Sequence, residues 1–249
     1  MIKTVSTLLV LFLAMFFGDQ QNIKVYLIGD STMADKQINT YPETGWGMPF
    51  AHFFDQTITV DNRAQNGRST KSFIAENRWQ PVVNQLDEGD FVLIQFGHND
   101  EVPTKKTYTP ETDFKTNLIR FVKEARSKKA IPVLITPVAR RKFNADGKVE
   151  DTHAVYAEIV RKTAQENQVP LIDLDKESMD LLQQFGPENS KLLFNHLQPG
   201  EHPNYPEGKQ DDTHFNELGA RKMAQLVLAD IKRLHLGLAD HIISSATKK

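Results

Sequence analysis

The chain of 249 residues contains no cysteine, which excludes disulfides, thiolate catalysis, thiolate metal centres and lipid attachment through an N-terminal cysteine. It also lacks an excess of either charge. Lys and Arg number 30 against 32 Asp and Glu, for a formal net charge of -2, so the basic footprint needed to bind a phosphate backbone is missing and nucleic acid is not an expected partner. Long apolar runs are missing too. The one extended stretch, Val5 to Phe17, follows Lys3 and ends before Asp19; it is short for a membrane span and reads as a secretory leader in preference to an uncleaved anchor or a buried helix. The sequence therefore predicts a signal peptide over 1–18, export to the periplasm or the medium, and no stable membrane insertion once the leader is removed. Phe16 and Phe17 before Gly18 fit the small-residue cleavage pattern poorly. No internal repeat or low-complexity linker appears, and residues 19–249 are expected to form a single domain.

What is present is an alternation. Lys24 to Ile28, Thr57 to Val60, Phe91 to Phe96, Ile131 to Thr136 and Val169 to Ile172 are short apolar runs rich in β-branched residues. Continuous apolar character, as in Phe91-Val92-Leu93-Ile94, predicts strands buried on both faces and hence a parallel sheet. Between them lie helical patterns. Phe114, Leu118, Phe121, Val122 and Ala125 share one helix face, as do Met223, Val227, Ile231 and Leu234. Strands alternating with helices predict a doubly wound, three-layer α/β/α domain. Gln198 to Gln210, with three prolines and two glycines, is the one long irregular stretch, read as a lid or binding loop or else as a plain surface connection.

Four polar clusters carry chemistry. Ile28-Gly29-Asp30-Ser31-Thr32 ends the first strand, where open α/β sheets place their ligand crevice; the same residues also make ordinary turns. Asn62 to Ser69 follows the second strand, and its Gly67 either serves a turn or brings a backbone N–H to a ligand. Gln95-Phe96-Gly97-His98-Asn99-Asp100 follows the third, with the Asn99 amide as a candidate donor. Asp211-Asp212-Thr213-His214 is predicted to open the C-terminal helix. A serine hydroxyl needs a base, and histidine needs a carboxylate to fix its tautomer. The i, i+3 spacing on a helical turn favours Asp211 as the partner of His214, leaving Asp212 as a helix-start residue or turn former. Imidazole beside two carboxylates is also a metal half-site, but no second His or acid cluster completes it, and neither metal nor cofactor is expected.

In this order and placement the clusters resemble the SGNH (GDSL-like) hydrolase superfamily: Gly29-Asp30-Ser31, Gly67, Gly97-His98-Asn99-Asp100 and Asp211 to His214 match its blocks along nearly the whole chain. The resemblance implies a flavodoxin-like sheet of five parallel strands in the order 2-1-3-4-5. It also implies Ser31 as nucleophile, and an oxyanion hole made by the Ser31 N–H, the Gly67 N–H and the Asn99 side chain. Asn66 to Phe73, Thr213-His214-Phe215 and His202 to Gly208 look most like rhamnogalacturonan acetylesterases, which remove acetyl groups from pectin. The expected activity is thus a secreted serine esterase acting on an acetylated polysaccharide. Esterases of other glycans, lipids or thioesters, and a non-catalytic sugar-binding protein, are the rivals. A polyanionic substrate calls for cations: Arg68 and Lys71, or the Arg140-Arg141-Lys142 run, are candidates, with His98 and His202 as further substrate contacts. Trp46 and Trp79 either stack on sugars or pack in the core.

Overall fold

The computed structural model describes residues 22–243; the leader expected over 1–18 lies outside them. Five parallel strands, β1 (Ile23–Gly29), β2 (Ile58–Asn62), β3 (Phe91–Gln95), β4 (Ile131–Ile135) and β5 (Leu171–Ile172), form one sheet. Their order is β2-β1-β3-β4-β5, as expected. Each expected strand is present with ends shifted by a residue or two.

Because side chains alternate along a strand, each central strand feeds two cores. Val25 and Leu27 of β1 join Phe91 and Leu93 of β3 on one face; Tyr26 and Ile28 join Val92 and Ile94 on the other. The first face is covered by α1 (Gly47–Phe50), α6 (Leu174–Asn189) and α7 (Glu217–Arg233). The second carries α2 (Thr70–Ala75), α3 (Trp79–Gln85), α4 (Glu111–Ser127) and α5 (Ala154–Glu166). All five expected α4 residues are buried. Met223, Val227 and Ile231 are buried on α7, while Leu234 caps it and is partly covered. Both tryptophans are core residues. Trp79 stands edge-on to Phe121, with ring centroids 5.1 Å apart.

The C-terminal cluster departs from expectation. Asp211 to His214 lies on a strand, β7 (Lys209–Phe215), paired antiparallel with β6 (Phe194–Leu197). Helix α7 starts later, capped by Asn216, whose side chain accepts from Gly219 N. Asp212 is accordingly no helix-start residue; its Oδ1 accepts from Arg141 Nη1 and His196 Nε2, each at 2.8 Å. The expected loop 198–210 is the β6–β7 connection, already in β7 from Lys209.

Register sets the strand ends level with one another. Gly29 pairs with Gln95, and Leu27 with Asn62, so the chain leaves β1, β2 and β3 at one edge. A side chain at Gly29 would put its Cβ 2.6 Å from Gln95 O, which bars any larger residue where β1 turns. Beneath that turn runs a buried polar chain. Trp46 Nε1 donates to Gln95 Oε1 at 2.6 Å, Gln95 Nε2 to Thr32 Oγ1 at 2.6 Å, and Thr32 Oγ1 to Asp30 Oδ1 at 2.8 Å. Gln95→Leu leaves the buried Trp46 N–H without an acceptor and is expected to cost about 1–3 kcal/mol or more, read as a lowered midpoint in urea unfolding with an unchanged m-value.

Candidate active site

Ser31 follows β1 and is nearly buried, with 8% of its surface exposed. Its Oγ lies 2.9 Å from His214 Nε2, although 183 residues separate the two. The His214 ring reaches Asp211 Oδ2 through Nδ1, also at 2.9 Å. A ring that donates from Nδ1 has a free lone pair on Nε2, so it can accept the Ser31 hydroxyl proton.

The local fold explains how Asp211 and His214 face one another without a helix. β6 residues Phe194 and Asn195 are adjacent, yet they pair with Phe215 and Asp211; the intervening Asp212, Thr213 and His214 therefore bow out of the ladder. Asp211 Oδ1 closes the bow by accepting from Thr213 N at 2.8 Å and His214 N at 2.9 Å. Burial alone would push the Asp211 carboxyl up. The hydrogen bond and charge of His214, with the two backbone N–H groups, outweigh that and hold it well below the usual carboxylate range.

Ser31, Gly67, Asn99 and His214 line one pocket of about 450 Å³ together with Glu43, Asn66, His98, Lys105, Arg140 and Thr213. A larger depression of about 520 Å³, lined by residues such as Met48, His52 and Arg221, holds no activated nucleophile, and chemistry selects the smaller one. Gly67 has φ +76°, a left-handed conformation that disfavours any side chain. Among the described residues the Ser31 and Gly67 N–H groups donate to no protein acceptor. Asn99 Nδ2 donates to Arg68 O at 3.1 Å, and Asn99 Oδ1 accepts from Lys105 Nζ at 2.9 Å. One amide hydrogen of Asn99 thus stays free. The Gly67 loop is braced by Lys36, a buried ammonium that holds Glu43 Oε1 at 2.7 Å and donates to Asn66 Oδ1 at 2.8 Å.

The expected substrate contacts fare unevenly. His98 borders the pocket, but its Nε2 donates inward to Val138 O at 2.8 Å. Burial, followed by the charges of His153 and Arg140, pushes its pKa far down and keeps it neutral. Arg68 is turned to Glu76 Oε2 at 2.9 Å and does not line the pocket. Lys71 points toward Tyr108 O and borders a separate depression on α2. His202 accepts from Asn204 N within its own turn. The 198–208 loop adds nothing to the pocket lining; Asn204 and Tyr205 tie it to Ile38, Thr40 and Tyr41 instead. Of the basic run only Arg140 reaches the pocket, with Nη1 on Glu101 Oε1 at 2.6 Å, while Glu101 also receives His153 Nδ1 at 2.8 Å. Glu43, Lys36 and Lys105 were not singled out from sequence. Among the described residues no group of three or more His, Asp or Glu is arranged to hold a metal ion.

A five-stranded parallel sheet in this order, with a serine at the end of β1 and a His-Asp pair before the last helix, defines an SGNH-type hydrolase fold. The model of the GDSL-like Lipase/Acylhydrolase family matches residues 27–222, and the chain belongs to that family. It is 43% identical to the rhamnogalacturonan acetylesterase RhgT of Bacillus subtilis (strain 168), over 91% of this chain and 97% of that one. It is 36% identical to the probable rhamnogalacturonan acetylesterase YesY of the same strain, over 88% and 97%. Among solved structures, the Bacillus subtilis protein YXIM superposes with TM-score 0.75 at 26% identity, covering 87% of this chain. The present chain spans only 58% of that longer one. An acetylxylan esterase of Geobacillus stearothermophilus shares the fold, with TM-score 0.61 at 19% identity over 85% and 94% of the two chains.

Below the pocket, Asp100 is buried and its Oδ1 accepts from Thr70 N at 2.9 Å and Thr70 Oγ1 at 2.6 Å. Burial, opposed by these bonds and aided by Asp30, pushes its pKa up to about 7. The folded protein therefore keeps a proton that the unfolded chain releases near pH 4, so the contribution is full below that pH and is lost as pH rises toward about 7. The stability difference between the wild type and Asp100→Asn is expected to fall across that window, measured by urea unfolding at several pH values. A difference that stays flat would mean that Asp100 ionises in the folded state as it does in water.

Proposed function

We propose that the chain is an exported serine esterase that removes acetyl groups from pectic polysaccharide, a rhamnogalacturonan acetylesterase. The observation that carries this is the pocket lining. Apart from Gly67, every residue that shares the pocket with Ser31 has a polar or charged side chain, which offers no apolar side chain to a long acyl chain in this pocket and suits a short acyl group on a hydroxyl-rich alcohol. The two Bacillus relatives named for this activity support the polymer assignment. The apolar run Val5 to Phe17 supports export, and no helix among the described residues is long and apolar enough to cross a membrane.

In the proposed reaction Ser31 Oγ attacks the acetyl carbonyl while His214 Nε2 takes its proton. The developing oxyanion receives the free N–H groups of Ser31 and Gly67 and the free hydrogen of Asn99 Nδ2. The imidazolium, stabilised by Asp211, protonates the departing sugar oxygen. Water then enters, gives a proton to His214, and releases acetate and the Ser31 hydroxyl by the same path.

Acid release tests the assignment, read as acetate from acetylated rhamnogalacturonan and acetylated xylan and as fatty acid from a long-chain acyl ester, with the first expected to be turned over most efficiently. Clear preference for either of the others would refute it. Ser31→Ala is expected to abolish turnover while its thermal unfolding stays close to that of the wild type. For Asn99→Ala, a drop in kcat of about 10² to 10³ is expected, and an unchanged kcat would show that the amide does not meet the oxyanion.

A further inference from the structure

The charges around the pocket are paired with one exception. Glu43 is matched by Lys36 at 2.7 Å, Arg140 by Glu101 at 2.6 Å, and Asp211 by His214 at 2.9 Å. Lys105 lines the same pocket on an exposed stretch of chain. Among the described residues it has no carboxylate within the 4.0 Å of an ion pair. Its Nζ is instead 2.9 Å from Asn99 Oδ1. An ammonium carries three N–H donors, so two remain for a ligand.

We infer that Lys105 recognises a uronate carboxylate of the substrate, beside the ester that Ser31 attacks. The inference rests on the proposed pectic substrate and assigns the residue that selects it. The other cations of the region are unsuited. Lys36 is buried and already engaged twice, Arg140 is neutralised by Glu101, and Arg68 is turned to Glu76. Lys105 combines an uncompensated charge with a fixed point of attachment. Its bond to Asn99 Oδ1 places the ammonium one amide away from the Nδ2 group, which gives one hydrogen to Arg68 O and keeps the other. A carboxylate held there fixes how the sugar lies relative to its own acetyl carbonyl, so a charged group that takes no part in the reaction contributes to the placement of the ester. The same bond also fixes which way round the Asn99 amide sits, with Oδ1 on Lys105 and Nδ2 on Arg68 O, and this positioning effect has to be separated from recognition.

Methyl esterification makes the separation, because it removes the carboxylate charge and keeps the acetyl ester. Wild type, K105Q, K105R and K105M are assayed on an acetylated rhamnogalacturonan oligosaccharide as free acid and as methyl ester. Gln keeps an N–H donor, one atom shorter in reach than Lys, but carries no charge. The wild type is expected to favour the free acid in kcat/KM by about tenfold or more, mainly through KM, with a preference that shrinks as salt is added. K105R is expected to keep most of that ratio, and K105Q and K105M to bring it near one. A ratio unchanged in K105Q and K105M would overturn the inference, as would equal losses on both forms confined to kcat, which is the signature of a group acting only through Asn99. The pectic assignment itself is judged separately, by whether the wild type releases acetate from either form. Should it release none, inhibition of 4-nitrophenyl acetate hydrolysis still decides: galacturonate is expected to inhibit the wild type more strongly than galactose and to lose that advantage in K105Q, and equal inhibition by the two sugars would also overturn the role of Lys105.

Discussion

Everything at the site depends on the parallel pairing of β1 with β2 on one side and β3 on the other. That pairing is enforced from within, because Tyr26 and Ile28 serve one core and Val25 and Leu27 the other. A slip by one residue would exchange the two sets and misfit both layers. With register settled, the chain must leave three neighbouring strands at one edge, and Ser31, Gly67 and Asn99 are carried there by short turns. His214 comes from a different construction, the small β6–β7 hairpin. Its 2.9 Å contact with Ser31 joins that hairpin to the main sheet.

The turns are held by polar groups in an apolar setting, which is costly unless each group is satisfied. The chain from Trp46 through Gln95 and Thr32 ends on one carboxyl oxygen of Asp30, links four buried side chains in sequence and fixes the backbone on which Ser31 sits. Lys36 does the same for the Gly67 turn through Glu43 and Asn66, and Thr70 anchors the start of α2 on Asp100. Rigid support of this kind allows donor groups to be held ready for a charge that appears only during reaction. The same support leaves the Ser31 and Gly67 N–H groups without a protein acceptor among the described residues.

Much of this was legible in the sequence because buried parallel strands and sheet-packed helices follow strong periodicities. Phe91 to Phe96 and the α4 face could hardly be read otherwise. The hairpin was not legible. Phe194-Asn195-His196-Leu197 is short and lacks alternation, and Asp211 with His214 at i, i+3 fits a helical turn as well as a bowed strand closed by an aspartate. Spacing predicted the contact correctly and the element wrongly. Lys71 was misplaced for a related reason. α2 begins at Thr70, whose N–H and hydroxyl are taken by Asp100, and the next residue lies about 100° further round the helix, away from the pocket. Lys105 gave no signal, since nothing in a loop containing Lys105 and Lys106 tells which lysine turns toward Asn99.

The buried acids beneath the pocket bear on its electrostatics. Among the described residues Asp30 and Asp100 each have one carboxyl oxygen without a partner, and burial pushes both pKa values up. An ionised carboxylate directly under Ser31 would oppose the negative charge that the proposed reaction creates above it. A carboxyl kept toward its neutral form by burial removes that opposition while still accepting the hydrogen bonds that shape the turn. Asp211 shows the reverse balance, because the donors around it outweigh burial and keep it ionised. The balance between burial and donors thus runs upward for Asp30 and Asp100 and downward for Asp211. The lowered one is the one in contact with His214, where a fixed negative charge favours formation of the imidazolium.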